Sequence, residues 1–290
     1  MSADYHQHLA DGERVGGGYK LVLPQRLPSG AAGSQTGKGI GSSLEFMDHR
    51  DYQPGDDLRR VDWNAYARTD KLTLKLYRDE TVPHLDILLD ASRSMSLPGS
   101  LKAQASIGLA AVFAAAARNG SQSHCLWLAR DGCTRAANGH LSPTTWMDLG
   151  LEHGENPHKA LAINPPSWRS GGMRLVISDL LWLGDPLQFL GHVAEGASAV
   201  YLVQVLSAQD IDPPELGNAR LIDHETGLAL DMLLDAGAKR RYERRLARHQ
   251  ENWNRAARQV GAMMATVVAE ELLPEWRLED LVKRSMLVVE

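Results

Sequence analysis

Residues 85–94 read LDILLDASRS and residues 174–180 read RLVISDL. Each is a short apolar run closed by an aspartate: Leu85 to Leu89 by Asp90, and Arg174 to Ser178 by Asp179. Runs of this length fit strands buried on both faces, as in a parallel sheet. Between them, Leu101 to Arg118 is Ala-rich and apolar on most sides, which predicts a helix deep in a core. His124 to Ala129 reads as a strand that Asp131-Gly132 turns toward Cys133 to Ala136, a hairpin signal. Further on, Pro186 to Val193 reads as helix and Ala199 to Leu206 as strand. A small hairpin turns about Thr226-Gly227. Then come a helix over Lys239 to Val260, a strand over Ala262 to Ala269 and a closing helix over Trp276 to Leu287. This alternation predicts an α/β fold: a mostly parallel sheet of six strands with one antiparallel edge strand and helices on both faces.

The first 83 residues differ from the rest. Ser29 to Ser43, SGAAGSQTGKGIGSS, has no periodicity and reads as an exposed loop. Leu72, Leu74 and Leu76 alternate with Thr73, Lys75 and Tyr77, a half-buried strand. The expected division is an N-terminal glycine-rich, β-rich add-on over 1–83 and the α/β domain over 84–290.

Composition narrows the function. With 43% hydrophobic and 23% charged residues in 290, the chain can bury a large core. Lys and Arg total 31 against 36 Asp and Glu, a net charge of −5, which argues against a general nucleic-acid coat. Cys125 and Cys133 are the only cysteines, too few for a disulfide framework or a zinc site. The longest apolar run, Ile107 to Ala117, is 11 residues, where a membrane span needs roughly 20. The opening MSADYHQHLADGERV has no basic region followed by an apolar stretch, so no signal peptide is expected and the expected location is cytoplasmic.

Asp90 and Asp179 end two core strands, and in open α/β sheets ligands bind outside the carboxyl ends of strands. Asp90-Ala91-Ser92-Arg93-Ser94 is D-x-S-x-S on a strand-to-helix turn. Alternate residues of an extended turn point the same way, so Asp90, Ser92 and Ser94 can converge. Their oxygens are hard ligands suited to Mg2+ or Mn2+. Hydroxyls add no charge, so a bound ion would favour an acidic ligand from outside. The competing reading is structural: Ser92 and Ser94 cap the following helix, and Asp90 accepts backbone amides.

DILLDASRSM, VISDL and the strand–helix rhythm resemble a von Willebrand factor A domain, whose metal-ion-dependent adhesion site uses such a D-x-S-x-S. A more specific stretch is GSSLEFMDHRDYQPGDDLRRVDWNAYARTDKLTLKLYRDE, residues 41–80. It resembles the signature of the bacterial family called domain of unknown function fifty-eight. LIDHETGLALDM and RRYERRLARH are similar to that family as well, and the likeness runs from Gly37 to Met286. The resemblance implies that Ser92 and Ser94 bind the metal directly and that Asp90 and Asp179 act nearby through water. It also implies a threonine on a middle loop before a helix. Here that loop reads GENPHKAL over 154–161, with Glu155 at the threonine's place and Asn156 next to it. Glu155 is either a further metal carboxylate or a solvated helix-start residue. The implied role is a non-enzymatic adaptor working beside a MoxR-type AAA+ ATPase, or its client, in complex assembly or maturation.

Two other segments carry charge. In Tyr52 to Arg68, Pro54-Gly55 sets a turn, Arg59, Arg60, Asp62 and Arg68 can form an ion-pair net, and Trp63 is an apolar anchor. The segment is a structural clamp or a docking surface. In Lys239 to Val260, Tyr242, Leu246, His249, Trp253 and Val260 form an apolar stripe, while one Lys and seven Arg face two Glu. The basic side is a solvated face or a docking patch for an acidic partner. Gly33 to Gly39, GSQTGKG, lacks the spacing and the final Ser or Thr of a P-loop. His6 and His8 lie in a terminus read as mobile.

Three functions are thus open. The first is a binding module whose strand-end cation takes a partner's acid. The second is a metal-dependent phosphatase or phosphotransferase with Asp90 as nucleophile, although Ser92 stands where its second aspartate belongs. The third is a structural protein with a vestigial metal site.

Overall fold

The computed structural model describes residues 5–23, 44–53, 56, 61–79, 83–212, 217–222 and 228–290. The chain divides into two compact units, Arg26–Val82 and Met1–Gln25 with Pro83–Glu290. The larger unit begins with α1 (His6–Gly16) and β1 (Tyr19–Leu21). From residue 83 it continues with β4 (His84–Asp90), α3 (Lys102–Asn119), β5 (Ser123–Arg130), β6 (Gly132–Arg135), α4 (Pro157–Ile163) and β7 (Met173–Ser178). Next come α5 (Pro186–Ala194), β8 (Ala199–Leu206), α6 (Ala208–Ile211), β9 (Gly217–Ile222), β10 (Ala229–Leu234) and α7 (Ala236–Val260). It closes with β11 (Met263–Val268), α8 (Ala269–Leu272), α9 (Glu279–Lys283) and β12 (Leu287–Val289). The smaller unit carries β2 (Leu44–Asp51), α2 (Trp63–Thr69) and β3 (Thr73–Asp79).

A six-stranded sheet of order β11-β8-β7-β4-β5-β6 forms the centre. Its strands are parallel except β6, which runs antiparallel to β5 at one edge, as the alternation predicts. All seven residues of β4 are buried. Leu85, Ile87 and Leu89 enter one core with α3, while Leu88 enters the other with Phe189, Leu190 and Trp253. In that second core Trp182, Phe189 and Trp253 pack edge to face with centroids 5.4–5.8 Å apart.

The units divide between Val82 and Pro83, beside the expected boundary, but residues 1–25 belong to the larger unit and not to the add-on. The first residues are not a mobile terminus: α1 packs on α3 through glycines. A Cβ on Gly12 would lie 2.3 Å from Gly108 O, and one on Gly16 would lie 2.3 Å from Val112 O. That approach explains why α3 is buried on almost every side. β1 then pairs antiparallel with β12, Tyr19 opposite Val289. The closing helix is shorter than expected for the same reason. Ser285 takes a left-handed φ of 55°, Met286 N–H donates to Leu281 O, and the chain leaves as a strand toward β1.

In the smaller unit β2 and β3 pair antiparallel. Asp62 caps α2 by accepting from Asn64 N and Ala65 N. Trp63 is not an anchor but 58% exposed; Val61 and Leu74 are buried instead. Arg50 pairs with Asp56 at 2.6 Å. Pro54, Gly55, Arg59, Arg60, the Gly33 to Gly39 loop and the Thr226-Gly227 turn lie outside the described residues.

Candidate functional site

The chain leaves β4 to build β5 and β6 on one side, then crosses to β7 on the other. The strand order therefore reverses between β4 and β7, and their carboxyl ends form the crevice where such sheets bind ligands. Asp90 ends β4, Ser178 ends β7 and Asp179 follows it. Leu89 pairs with Ile177, so both aspartates reach the same edge.

The D-x-S-x-S turn is held by backbone bonds. Ala91 N–H donates to Ala129 O, and Ser92 N–H donates to Asp90 Oδ1 at 2.9 Å. Residues Arg93–Ser96 then form one 3₁₀ turn. Ser92 Oγ and Ser94 Oγ converge to 3.1 Å. The middle loop joins the same edge, because Ser92 and His153 form a parallel bridge and His153 N–H donates to Ala91 O. Asn156 caps α4 by accepting from Lys159 N. Glu155 Oε2 lies 3.1 Å from Lys159 Nζ, an ion pair within the first turn of that helix.

The charges at this edge are largely paired. Asp90 is fully buried; its Oδ1 accepts from Ser92 N and its Oδ2 from the Ser178 hydroxyl. Burial, and then the neighbouring Asp179 charge, raise its carboxyl to about 7. Asp179 Oδ1 accepts from Leu181 N, and its Oδ2 from Lys102 Nζ at 2.9 Å. The same ammonium lies 3.2 Å from Asp210 of α6. Lys102 is fully buried. Burial works to lower its pKa, but Asp179 and Asp210 together outweigh burial and raise it, so the lysine is charged.

The donor set fits a divalent ion only in its hydroxyls. Oxygens on Mg2+ sit at about 2.1 Å from the ion and about 3 Å from one another, close to the Ser92–Ser94 separation. The acids do not fit. Asp179 is spent on Lys102, Asp90 sits in surroundings that favour its neutral form, and Glu155 stands beside the exposed Lys159 without a hydrogen bond to its Oε2. Among the described residues no group of three His, Cys, Asp or Glu side chains gathers to hold a metal.

Asp90 is also unsuited as a nucleophile, being sealed from solvent with both oxygens engaged. Thus the predicted residues Asp90, Ser92, Ser94 and Asp179 do gather, and the loop carrying Glu155 joins them. Lys102, Ser178 and Asp210 complete the cluster and are not evident in the motif. One signal was present: Lys102 is a lone charge at the head of KAQASIGLAAVF, a helix otherwise built to be buried.

Helix α7 borders this edge. Tyr242 donates its hydroxyl to Asp210 O, Lys239 pairs with Asp212, and His249 Nε2 bonds Leu180 O. Its first half is thereby fastened beside the strand ends. Arg240, Arg241, Arg244, Arg245, Arg248 and Arg255 are exposed, while Trp253, Ala256 and Ala257 are buried. None of the six has an ion pair among the described residues.

A family model described as "Protein of unknown function DUF58" matches residues 48–252. Uncharacterized proteins of Mycobacterium bovis and of Mycobacterium tuberculosis are each 24% identical over 286 residues, covering 91% of this chain and 86% of theirs. Among solved structures, a conserved hypothetical protein, BatB, from Bacteroides thetaiotaomicron aligns over 70% of this chain and 98% of its own, at 13% identity and a TM-score of 0.33. An aerotolerance-related membrane protein from Bacteroides fragilis aligns over 62% and 98%, at 14% identity and a TM-score of 0.29.

Proposed function

The chain belongs to the DUF58 family, whose function is unknown, and we propose that it is a non-enzymatic adaptor of the von Willebrand factor A-like type. It grips an acidic protein partner at the carboxyl edge of its sheet. The observation that carries this reading is the set of five arginines without an ion pair on the first half of α7, Arg240, Arg241, Arg244, Arg245 and Arg248, at the carboxyl edge of the sheet. A helix needs exposed polar residues for solubility, but not same-sign charges clustered without partners, which repel one another. In a chain of net charge −5 such a patch steers an acidic surface to one place. Lys102 already pairs with Asp179 and Asp210, so this reading rests on the arginines and not on a divalent ion. The family resemblance suggests a MoxR-type AAA+ ATPase as the partner.

The test is binding of the full chain to the MoxR-type ATPase of the same host, measured by interferometry. Arg244→Glu with Arg248→Glu is expected to weaken binding at least about tenfold, roughly 1.4 kcal/mol. Chelator is expected to leave affinity unchanged. Affinity indifferent to the double reversal would refute the patch, and affinity abolished by chelator would restore the metal.

A further inference from the structure

At the amino end of the sheet, opposite the crevice, Ser123, His84 and Asp86 stand in a hydrogen-bonded row. We infer that this row makes Ser123 an acyl acceptor: it takes an acyl group from an activated ester and holds it as a serine ester. The site lies at the other edge from the arginine patch and does not rest on that reading.

β4 and β5 start side by side, with His84 opposite Ser123 in the parallel register. His84 and Asp86 are two apart on one strand and so share a face. Ser123 N–H donates to Pro83 O, which fixes the backbone at the head of β5. The Ser123 hydroxyl lies 2.7 Å from His84 Nδ1, and His84 Nε2 lies 3.3 Å from Asp86 Oδ1. The partners determine where the protons sit. Asp86 also accepts from Trp127 Nε1 at 2.9 Å and from Arg169 N at 3.1 Å, so three donors surround an ionised carboxylate. A carboxylate only accepts, so the ring carries its proton on Nε2, and Nδ1 accepts from the Ser123 hydroxyl. Nucleophile, base and orienting acid are thus in the order that activates a serine, an arrangement recognised by geometry and not by sequence position.

Exposure along the row runs the right way for attack from outside. Asp86 is 2% and His84 6% exposed, while Ser123 is half-buried at the outer end. Arg169 beside it is exposed, places Nη1 3.5 Å from Ser123 Oγ and has no ion pair among the described residues. Its guanidinium can take the negative charge that develops on the acyl oxygen.

In the step, Ser123 Oγ bonds to the acyl carbon and the hydroxyl proton passes to His84 Nδ1. The bond to the leaving oxygen or sulfur breaks with its electron pair on the leaving group. The imidazolium, held by Asp86, then returns its proton to that anion through solvent. The leaving group must depart as an anion, a phenolate or a thiolate, because the ring lies behind the hydroxyl and cannot hand it a proton directly. The same burial retains the acyl group. Hydrolysis needs a water held between the ring and the ester carbon, and a ring this buried leaves little room for one.

The full chain is treated with p-nitrophenyl acetate, and with ethyl acetate as a donor of poor leaving group. Nitrophenolate release, intact mass and peptide mapping are followed. One acetyl group per chain on Ser123 is expected, with release that stops at one equivalent and no reaction of ethyl acetate. Ser123→Ala is expected to lose the rapid release and the acetylated peptide. His84→Gln should slow acetylation at least about a hundredfold. Arg169→Ala, a change at an exposed position, should slow it at least about tenfold with an unchanged melting temperature. Acetylation confined to lysines, equal rates in the native and Ser123→Ala chains, or undiminished reaction of Arg169→Ala overturns the inference. Release that continues past one equivalent and is abolished in Ser123→Ala overturns the retention and makes the site a hydrolase.

Discussion

Lys102 Nζ lies 2.9 Å from Asp179 Oδ2, with both side chains 1% exposed. The ammonium belongs to the first residue of α3 and the carboxylate to the residue after β7, so this pair ties the main helix to the strand end at the crevice. It also changes the character of the edge from a vacant anionic cup to a site with its own internal cation.

Removing that cation should be severe. Lys102→Met leaves Asp179 and Asp210 buried or half-buried without their shared partner, a loss of about 3–5 kcal/mol. Urea unfolding measures it. The wild-type chain should show no magnesium-dependent rise in melting temperature. A clear rise at millimolar magnesium would contradict the pairing argument.

Gly12 tests the docking of α1. A methyl group there meets the Gly108 carbonyl at 2.3 Å, and backbone does not yield as a side-chain tip does. Gly12→Ala should cost about 1–3 kcal/mol. The matched control is Gly18→Ala, where the nearest atom is 3.6 Å away and the effect should be small. Equal midpoints for the two variants would show that α1 does not need the close approach.

His124 gives a pH dependence. It is 3% exposed, its Nε2 lies 3.0 Å from Leu141 O, and burial pushes its pKa from 6.5 down to about 4. The unfolded chain therefore takes up the proton first. The stability this histidine contributes is full above pH 6.5 and is lost as pH falls toward 4. The loss is at most about 3 kcal/mol. Subtracting the profile of His124→Gln from that of the native chain should isolate it, and parallel profiles would show that the ring titrates normally.

The two thiols should be silent in the native state. Cys133 is 2% exposed and burial pushes it up to about 12; burial raises Cys125 as well. The thiolate is the reactive form. Ellman's reagent should react with neither cysteine until urea unfolds the chain, and rapid stoichiometric labelling of the folded protein would refute the burial.

The sequence by itself determined the sheet. Apolar runs such as Leu85–Leu89 and Arg174–Ser178 have nowhere to go but between two helical layers, and their terminal acids necessarily fall at one edge. The D-x-S-x-S turn was legible because its spacing is local. What only the tertiary structure decided are the partnerships across long separations. Lys102 meets Asp179 across 77 positions, and α1 reaches α3 through glycines that look locally like loop residues. Arg174, at the head of the run to Ser178, becomes a buried cation that caps the end of α5. The physical reason is common to all three: a charge or a glycine carries no periodic signature of its own, and its role is set by which distant atoms the packing brings against it.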